Sequence, residues 1–164
     1  MACRKNDPKE VENITNCQKP AEVSTGVQAL YSDSGKLKAR LIAPKMVRAI
    51  STEEPTVEMP NGLEVWFYDN KGKVNSHLRA NYGIRYINKA RTRVAGNVQV
   101  VNLKGDSLNT EEMFWDEPTQ KIFSHKFVKV RTKDEIIFAD GFESDVNFSN
   151  YTFYKIRGRL SVKQ

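Results

Sequence analysis

Four segments of this chain share one pattern: an aliphatic residue, a small residue two positions on, and a residue that resumes the same apolar face three positions later. They read Leu41-x-Ala43-x-x-Met46, Leu78-x-Ala80-x-x-Gly83, Leu108-x-Thr110-x-x-Met113 and Ile137-x-Ala139-x-x-Phe142. The first two positions obey the period of two expected of a half-buried strand. The third arrives one residue late, which a strand accommodates only with a β-bulge or a corner. The segments begin at residues 41, 78, 108 and 137, spacings of 37, 30 and 29. Recurrence at that period points to stacked supersecondary units sharing one core. Corners at matching levels fold such a stack into two facing antiparallel sheets.

The intervening sequence supplies the strands and turns this requires. Gly26–Tyr31 and Lys36–Ala43 read as strands around a turn at Ser32–Gly35, with Pro44 marking a bend and Lys45–Ile50 resuming. Leu63–Tyr68 follows the turn signal Pro60-Asn61-Gly62, and Asp69–Gly72 turns the chain into Val74–Ala80 and Asn81–Ile87. The longest hairpin spans Val94–Asp116, with its turn at Lys104-Gly105-Asp106 and its first strand starting at Arg91. Lys121–Ser124, Phe127–Arg131, Glu135–Asp140, Phe142–Asp145 and Asn150–Leu160 are shorter strands. No stretch carries a 3.6-residue apolar period with caps, so the fold class is all-β. Residues 1–22 are polar and read as a flexible leader, leaving 23–164 as one domain.

The phase of the strands puts Leu41, Ala43, Met46, Val65, Phe67, Leu78, Ala80, Val98, Val100, Leu108, Thr110, Met113, Trp115, Val128, Val130, Ile137, Ala139 and Phe142 on the inner faces. The small members (Ala43, Ala80, Thr110, Ala139) recur at one level of the stack. Two outcomes follow from that. Either the small side chains leave an elongated apolar groove able to accept acyl chains, or large residues opposite fill the space as in any sandwich. If Trp115 is fully buried, truncating it to alanine costs about 3–5 kcal/mol. In the last strand, strict alternation places Lys155, Arg157 and Arg159 on one face and Tyr154, Ile156 and Gly158 on the other. With no proline to block it, that strand is either an open edge for a partner strand or a strand covered by its neighbours.

Charge and cysteines bound the function only loosely. Hydrophobic residues make up 39%, below the roughly 45–50% of an average globular chain, and the formal charge is +6. That balance fits nucleic acid, anionic lipid or plain solubility. No run of about 18 apolar residues exists to cross a membrane. Cys3 and Cys17 sit in the polar leader, where they cannot staple the core, and no Cys/His spacing resembles a zinc site. The start Ala2-Cys3 resembles the first residues of a mature bacterial lipoprotein, which makes Cys3 a lipidation candidate. The other reading is a free thiol in a mobile leader.

Catalytic patterns are weak. His77 and His125 follow Ser76 and Ser124, but neighbours on a strand point to opposite faces. Glu111, Glu112, Asp116 and Glu117 flank a turn and read as a solvated strand end. There is no phosphate-binding glycine loop and no cofactor signature, so the chain is expected to be a non-enzyme without a cofactor. A nucleic-acid-binding β domain is the main alternative, motivated by the charge and by Trp66, Tyr68, Tyr82 and Tyr86 near Arg79, Arg85 and Arg91. The cations are spread over nearly every strand among acids, which argues against a focused path.

The repeats and their surroundings resemble the periplasmic lipopolysaccharide-transport proteins of the OstA-like β-jellyroll type, most closely the LptC family. The resemblance is carried by Leu30–Leu37, Val65–Val74 with His77–Ala80, Gly96–Val100, Leu108–Asp116 and Ile137–Asp145, in that order and spacing. It implies a twisted jellyroll of two facing sheets whose interior shields the acyl chains of lipid A. It also implies a non-enzymatic place in the bridge between the inner and outer membranes of Gram-negative bacteria. The partners it implies are the inner-membrane lipopolysaccharide ATP-binding cassette complex at one end and an LptA-like bridge protein at the other. An LptA-type role on the same fold is the near alternative. Members usually carry an N-terminal membrane helix, which the sequence does not show, so anchoring falls to a trimmed helix or to a lipid at Cys3.

Overall fold

The computed structural model describes residues 21–163, and among them every regular element is a strand. The twelve are β1 (Glu22–Asp33), β2 (Lys36–Ala49), β3 (Thr56–Met59), β4 (Leu63–Tyr68), β5 (Val74–Ala80) and β6 (Tyr82–Tyr86), then β7 (Arg91–Asn102), β8 (Ser107–Asp116), β9 (Lys121–Ser124), β10 (Val128–Arg131), β11 (Glu135–Asp145) and β12 (Tyr151–Ser161). All pair antiparallel in one continuous ladder. The expected leader lies almost wholly outside the described residues, as do Cys3 and Cys17.

The register shows how one ladder becomes two leaves. The first part of β2 pairs with β4 (Ala39 opposite Phe67), and the last part pairs with β3 (Val47 opposite Glu58). Strand β7 splits between β6 and β5, β8 between β9 and β10, and β11 between β9 and β10 in the same way. One leaf therefore runs β1-β2-β4-β5-β7-β8-β10-β11-β12, and the other runs β1-β2-β3-β6-β7-β8-β9-β11-β12. They share a crease that every long strand crosses, and the result is the expected jellyroll of two facing sheets.

The crease is where the repeats place their extra residue. Pro44, which has no N–H to give the ladder, lies between the pairs Ala43–Val27 and Lys45–Thr25, facing Gly26 at φ 59°. Gly62 (φ 92°) and Asn81 turn β3 into β4 and β5 into β6 at the same level. A Cβ on Gly62 would stand 2.9 Å from the Ala80 carbonyl oxygen, so only glycine fits that turn. In β7 the ladder slips at Gly96 (φ 76°) and Asn97 (φ 47°), while in β12 the backbone turns at Lys155 (φ 50°) and the ladder slips at Arg157. Thr110 is the register partner of both Val98 and Val128, and Val128 of Ala139. The small residues do share one level, and that level is the crease.

Strand β3 is absent from the sequence reading, since Thr-Val-Glu-Met is short and bracketed by Pro55 and Pro60. Glu135–Asp140 and Phe142–Asp145 are one strand, β11, that crosses the crease. The faces assigned to β12 also need correction. Ile156 pairs with Ala139, Gly158 with Phe138 and Arg159 with Ile137, so Arg157 is a bulge and Arg159 shares the inner face with Ile156. The extra residue shifts the alternation by one, as bulges do.

Hairpin turns at the far margins are capped by side chains. The Asp69 carboxylate accepts the amides of Lys71 (2.8 Å) and Lys73 (2.9 Å), and Asn102 Oδ1 accepts those of Lys104 (2.9 Å) and Asp106 (3.0 Å). These Asx caps satisfy turn amides that the ladder leaves unpaired.

Candidate functional site

Between the leaves, on the β1 side, lies an apolar cavity of about 310 Å³. Its position follows from the strand phase. In one leaf the inner row Ala29–Leu41–Val65–Leu78 runs across β1, β2, β4 and β5, flanked by Tyr31–Ala39–Phe67. In the other, Met59, Val94 and Met113 form a row through β3, β7 and β8, and Arg48–Val57–Arg85–Thr92–Trp115–Ile122 forms the row nearer the open margin. All of these line the cavity.

Seven of the eighteen inner positions expected to line a groove are on this wall: Leu41, Met46, Val65, Phe67, Leu78, Met113 and Trp115. The other eleven are not. Ala43, Ala80, Val98, Thr110, Val128 and Ala139 lie at the crease, where the leaves converge, and all are buried. The Thr110 hydroxyl donates to the Phe127 carbonyl at 2.9 Å and lies 3.2 Å from Ser124 Oγ, so the space beside it is occupied. Val100, Leu108, Val130, Ile137 and Phe142 pack the β12 half of the core. Wall residues that periodicity did not single out include Ala29, Tyr31, Ala39, Met59, Leu63, Val94 and Ile122. Ala39, Val94 and Ile122 carry the alternation signal in their own strands. Met59 belongs to the unrecognised β3.

Trp115 is half-buried rather than enclosed. It meets Tyr31 edge-on at 5.6 Å between ring centroids and Phe67 at 6.2 Å, and its indole Nε1 has no protein partner. It stands at the cavity margin with an apolar body and an unspent donor.

The rim is charged. Arg85 forms an ion pair with Glu117 through both terminal guanidinium nitrogens, Nη2 lying 3.1 Å from Oε2. On the outer face of the same leaf, Arg91 Nη2 lies 2.8 Å from Asp116, and Arg93 Nη2 lies 2.6 Å from Glu112. Glu112, Asp116 and Glu117 are therefore paired with arginines and are not a freely solvated strand end, whereas Glu111 is exposed. The Thr119 hydroxyl, at 2.6 Å, and Arg91 hold the Asp116 carboxyl below the usual carboxylate range. A carboxyl lowered in this way stays ionised, unlike a general acid, which needs a raised pKa. Ser76 and His77 belong to opposite faces: His77 lies 2.9 Å from Glu64, while Ser76 is buried. Among the described residues no His/Cys/Asp/Glu group is arranged to hold a metal.

Three of the aromatic residues suggested as stacking platforms, Trp66, Tyr82 and Tyr86, are engaged. On the outer face Trp66 is flanked by the Arg40 guanidinium at 4.7 Å and the His77 ring at 4.7 Å. Lys89 lies 5.5 Å above the Tyr86 ring. Burial and a bond to Glu58 push the Tyr82 hydroxyl up to about 12.

Both ends of the ladder are open. Strand β1 pairs only with β2, and β12 only with β11, among the described residues. Along β12 Tyr154 and Ile156 are each 48% exposed, but not on one face. Ile156 is opposite the inward Ala139, whereas Tyr154 is on the outer face with its hydroxyl 3.4 Å from Glu143, and Phe153, opposite Phe142, is the inward residue there. Arg157 Nε pairs with Asp140 at 2.6 Å on the outer face, and Tyr154, Lys155, Ile156, Arg157, Gly158 and Arg159 present one backbone edge to solvent. No helix in the described residues is long and apolar enough to cross a membrane.

The protein-family model described as lipopolysaccharide-assembly, LptC-related, matches residues 5–159, nearly the whole chain. No curated protein matches it.

Proposed function

The chain belongs to the lipopolysaccharide-assembly, LptC-related family, and on that premise we propose that it is a non-enzymatic bridge component that carries lipid A between membranes. The family places it in lipopolysaccharide transport. The observation that carries the finer reading is the apolar cavity between the leaves, bordered by Arg48 and Arg85. An apolar concavity with a few polar groups at its margin suits an amphiphile whose chains enter and whose headgroup stays outside. The wall residues named above, Leu41, Met46, Val65, Phe67, Leu78, Met113 and Trp115, are the proposed acyl contacts. The unpaired outer edges of β1 and β12 supply main-chain donors and acceptors for strand addition. They suit an inner-membrane transporter complex at one end and an LptA-like bridge protein at the other. Periplasmic location, with attachment through a helix or a lipid on Cys3, completes the proposal.

Titration with purified lipopolysaccharide and, separately, with single-stranded DNA tests this reading. Saturable lipopolysaccharide binding with little salt dependence supports it. Absence of lipid binding, with DNA binding that falls steeply with salt, would overturn it in favour of the nucleic-acid alternative. The covered faces of Trp66 make that second outcome the poorer expectation.

A further inference from the structure

The interior is asymmetric. On the β1 side the space between the leaves is the cavity; on the β12 side it is filled from below by the connection between β11 and β12. Phe148, in that connection, is 4% exposed although it belongs to no strand. Its ring stacks on Phe142 at 6.4 Å and 17°, and Phe142 in turn meets Tyr151 at 5.9 Å and Phe153 at 6.0 Å. The plug is aromatic and loop-borne.

Three features make this loop a movable part instead of a fixed wall. Phe148 sits at φ 55°, a conformation that a bulky L-residue rarely adopts and that surrounding contacts must impose. It is held by few bonds. The Asp145 carbonyl accepts the Phe148 amide at 3.1 Å, the Asp145 carboxylate takes Ser149 N (2.7 Å) and Asn150 Nδ2 (3.0 Å), and Asn75 Nδ2 donates across to the Asn147 carbonyl at 2.9 Å. That last bond is the latch, because Asn75 belongs to the leaf opposite. Finally, the two hydroxyls next to these anchors, Ser76 beside Asn75 and Ser144 beside Asp145, are buried with no partner. Neither hydroxyl therefore contributes a protein bond that holds the loop closed.

We propose that the 146–150 loop is a gate, with Phe148 as its plug and Asn75–Asn147 as its latch, dividing the cavity from the β12 end of the interior. The inference rests on the lipid-carrier reading for what passes the gate, but not for whether the gate opens. A chain seated beside Met46 reaches the β12 edge only when Phe148 leaves its stack on Phe142. Phe148 then decides when cargo is presented to whatever pairs with β12.

The test places a photo-crosslinking residue at Met46, on the cavity wall, or at Ile156, on the inner face of β12, in the full chain mixed with purified lipopolysaccharide. In the native loop, crosslinking is expected at Met46 with little at Ile156. Phe148→Ala, and independently Asn75→Ala, which leaves the core intact, should raise the Ile156-to-Met46 ratio about tenfold by shifting the population to the open state. Amide exchange supplies a reading free of lipid: the Phe148 and Ser149 amides should exchange through a local opening, well before their β11 neighbours. An unchanged ratio in both variants, or exchange of those amides only with global unfolding, would overturn the gate. No crosslink at Met46 in any variant, with local exchange intact, overturns the lipid reading and the gate's cargo with it, while leaving the moving loop established.

Discussion

Replacing Ala39 by phenylalanine separates a ligand-filled cavity from a merely well-packed sandwich. Ala39 is 5% exposed, stands between Tyr31 and Phe67 in register, and faces the cavity of about 310 Å³. A ring added there enters existing space, so the fold should lose under about 1.5 kcal/mol. In the carrier reading the same ring displaces about four methylenes of a bound acyl chain, each contributing about 0.8 kcal/mol. The sum, about 3 kcal/mol, weakens lipopolysaccharide binding by roughly two orders of magnitude. The comparison is Ala139→Phe, at the crease, 0% exposed and paired with Val128 and Ile156. There is no cavity beside it, so overpacking costs about 1–3 kcal/mol. At roughly 2–4 °C per kcal/mol for a chain this long, that lowers Tm by about 2–12 °C. Binding per folded molecule should be nearly unchanged. Calorimetric titration with lipopolysaccharide and thermal melts by circular dichroism measure both quantities. If Ala39→Phe binds like the native protein, acyl chains do not occupy this cavity. If Ala139→Phe alone abolishes binding without loss of Tm, they lie along the crease instead.

Three further outcomes are expected. Gly83→Ala should cost under about 1.5 kcal/mol, since its Cβ would meet only side-chain ends, 2.9 Å from Leu63 Cδ2 and 3.0 Å from Met59 Cε, which can swing toward the cavity they line; a larger loss in a chemical denaturation curve would show that those side chains are held fast. Asp116 has a folded pKa held below its unfolded value of about 3.9. Its contribution is therefore present above that pH and lost as pH falls through the folded pKa, so the stability deficit of Asp116→Asn should shrink in urea melts taken below about pH 4. A deficit that stays constant between neutral pH and that range would refute the assignment. Deleting residues 150–164 removes the β12 edge and should abolish capture of an LptA-like partner in a pull-down, whereas persistence of the complex excludes that edge.

The crease explains why the repeats revealed the architecture and mislocated the cavity. Pattern reading detects that Ala43, Ala80, Thr110 and Ala139 are small, inward and level, and all of that holds in the structure. Smallness has two causes that look identical in one dimension: room for a ligand, or two leaves approaching closely. Here the second operates, because the extra residue after each small one is the corner itself, and at a corner opposite backbones converge. Space appears only farther from the crease, where Leu41, Val65 and Leu78 face Met59, Val94 and Met113. It appears only on the β1 side because Val100, Leu108, Val130, Ile137 and Phe142, together with Phe148 and its loop, fill the other half. Neither fact leaves a periodic trace. Phe148 belongs to no strand, and the bulge at Arg157 that turns Arg159 inward adds one residue to an otherwise regular alternation. What remains hidden in such a sequence is therefore the distance between faces, which is the quantity that decides whether an apolar interior is a core or a conduit. In this chain it is a core beside β12 and a cavity beside β1, and the loop between β11 and β12 sets the boundary between them.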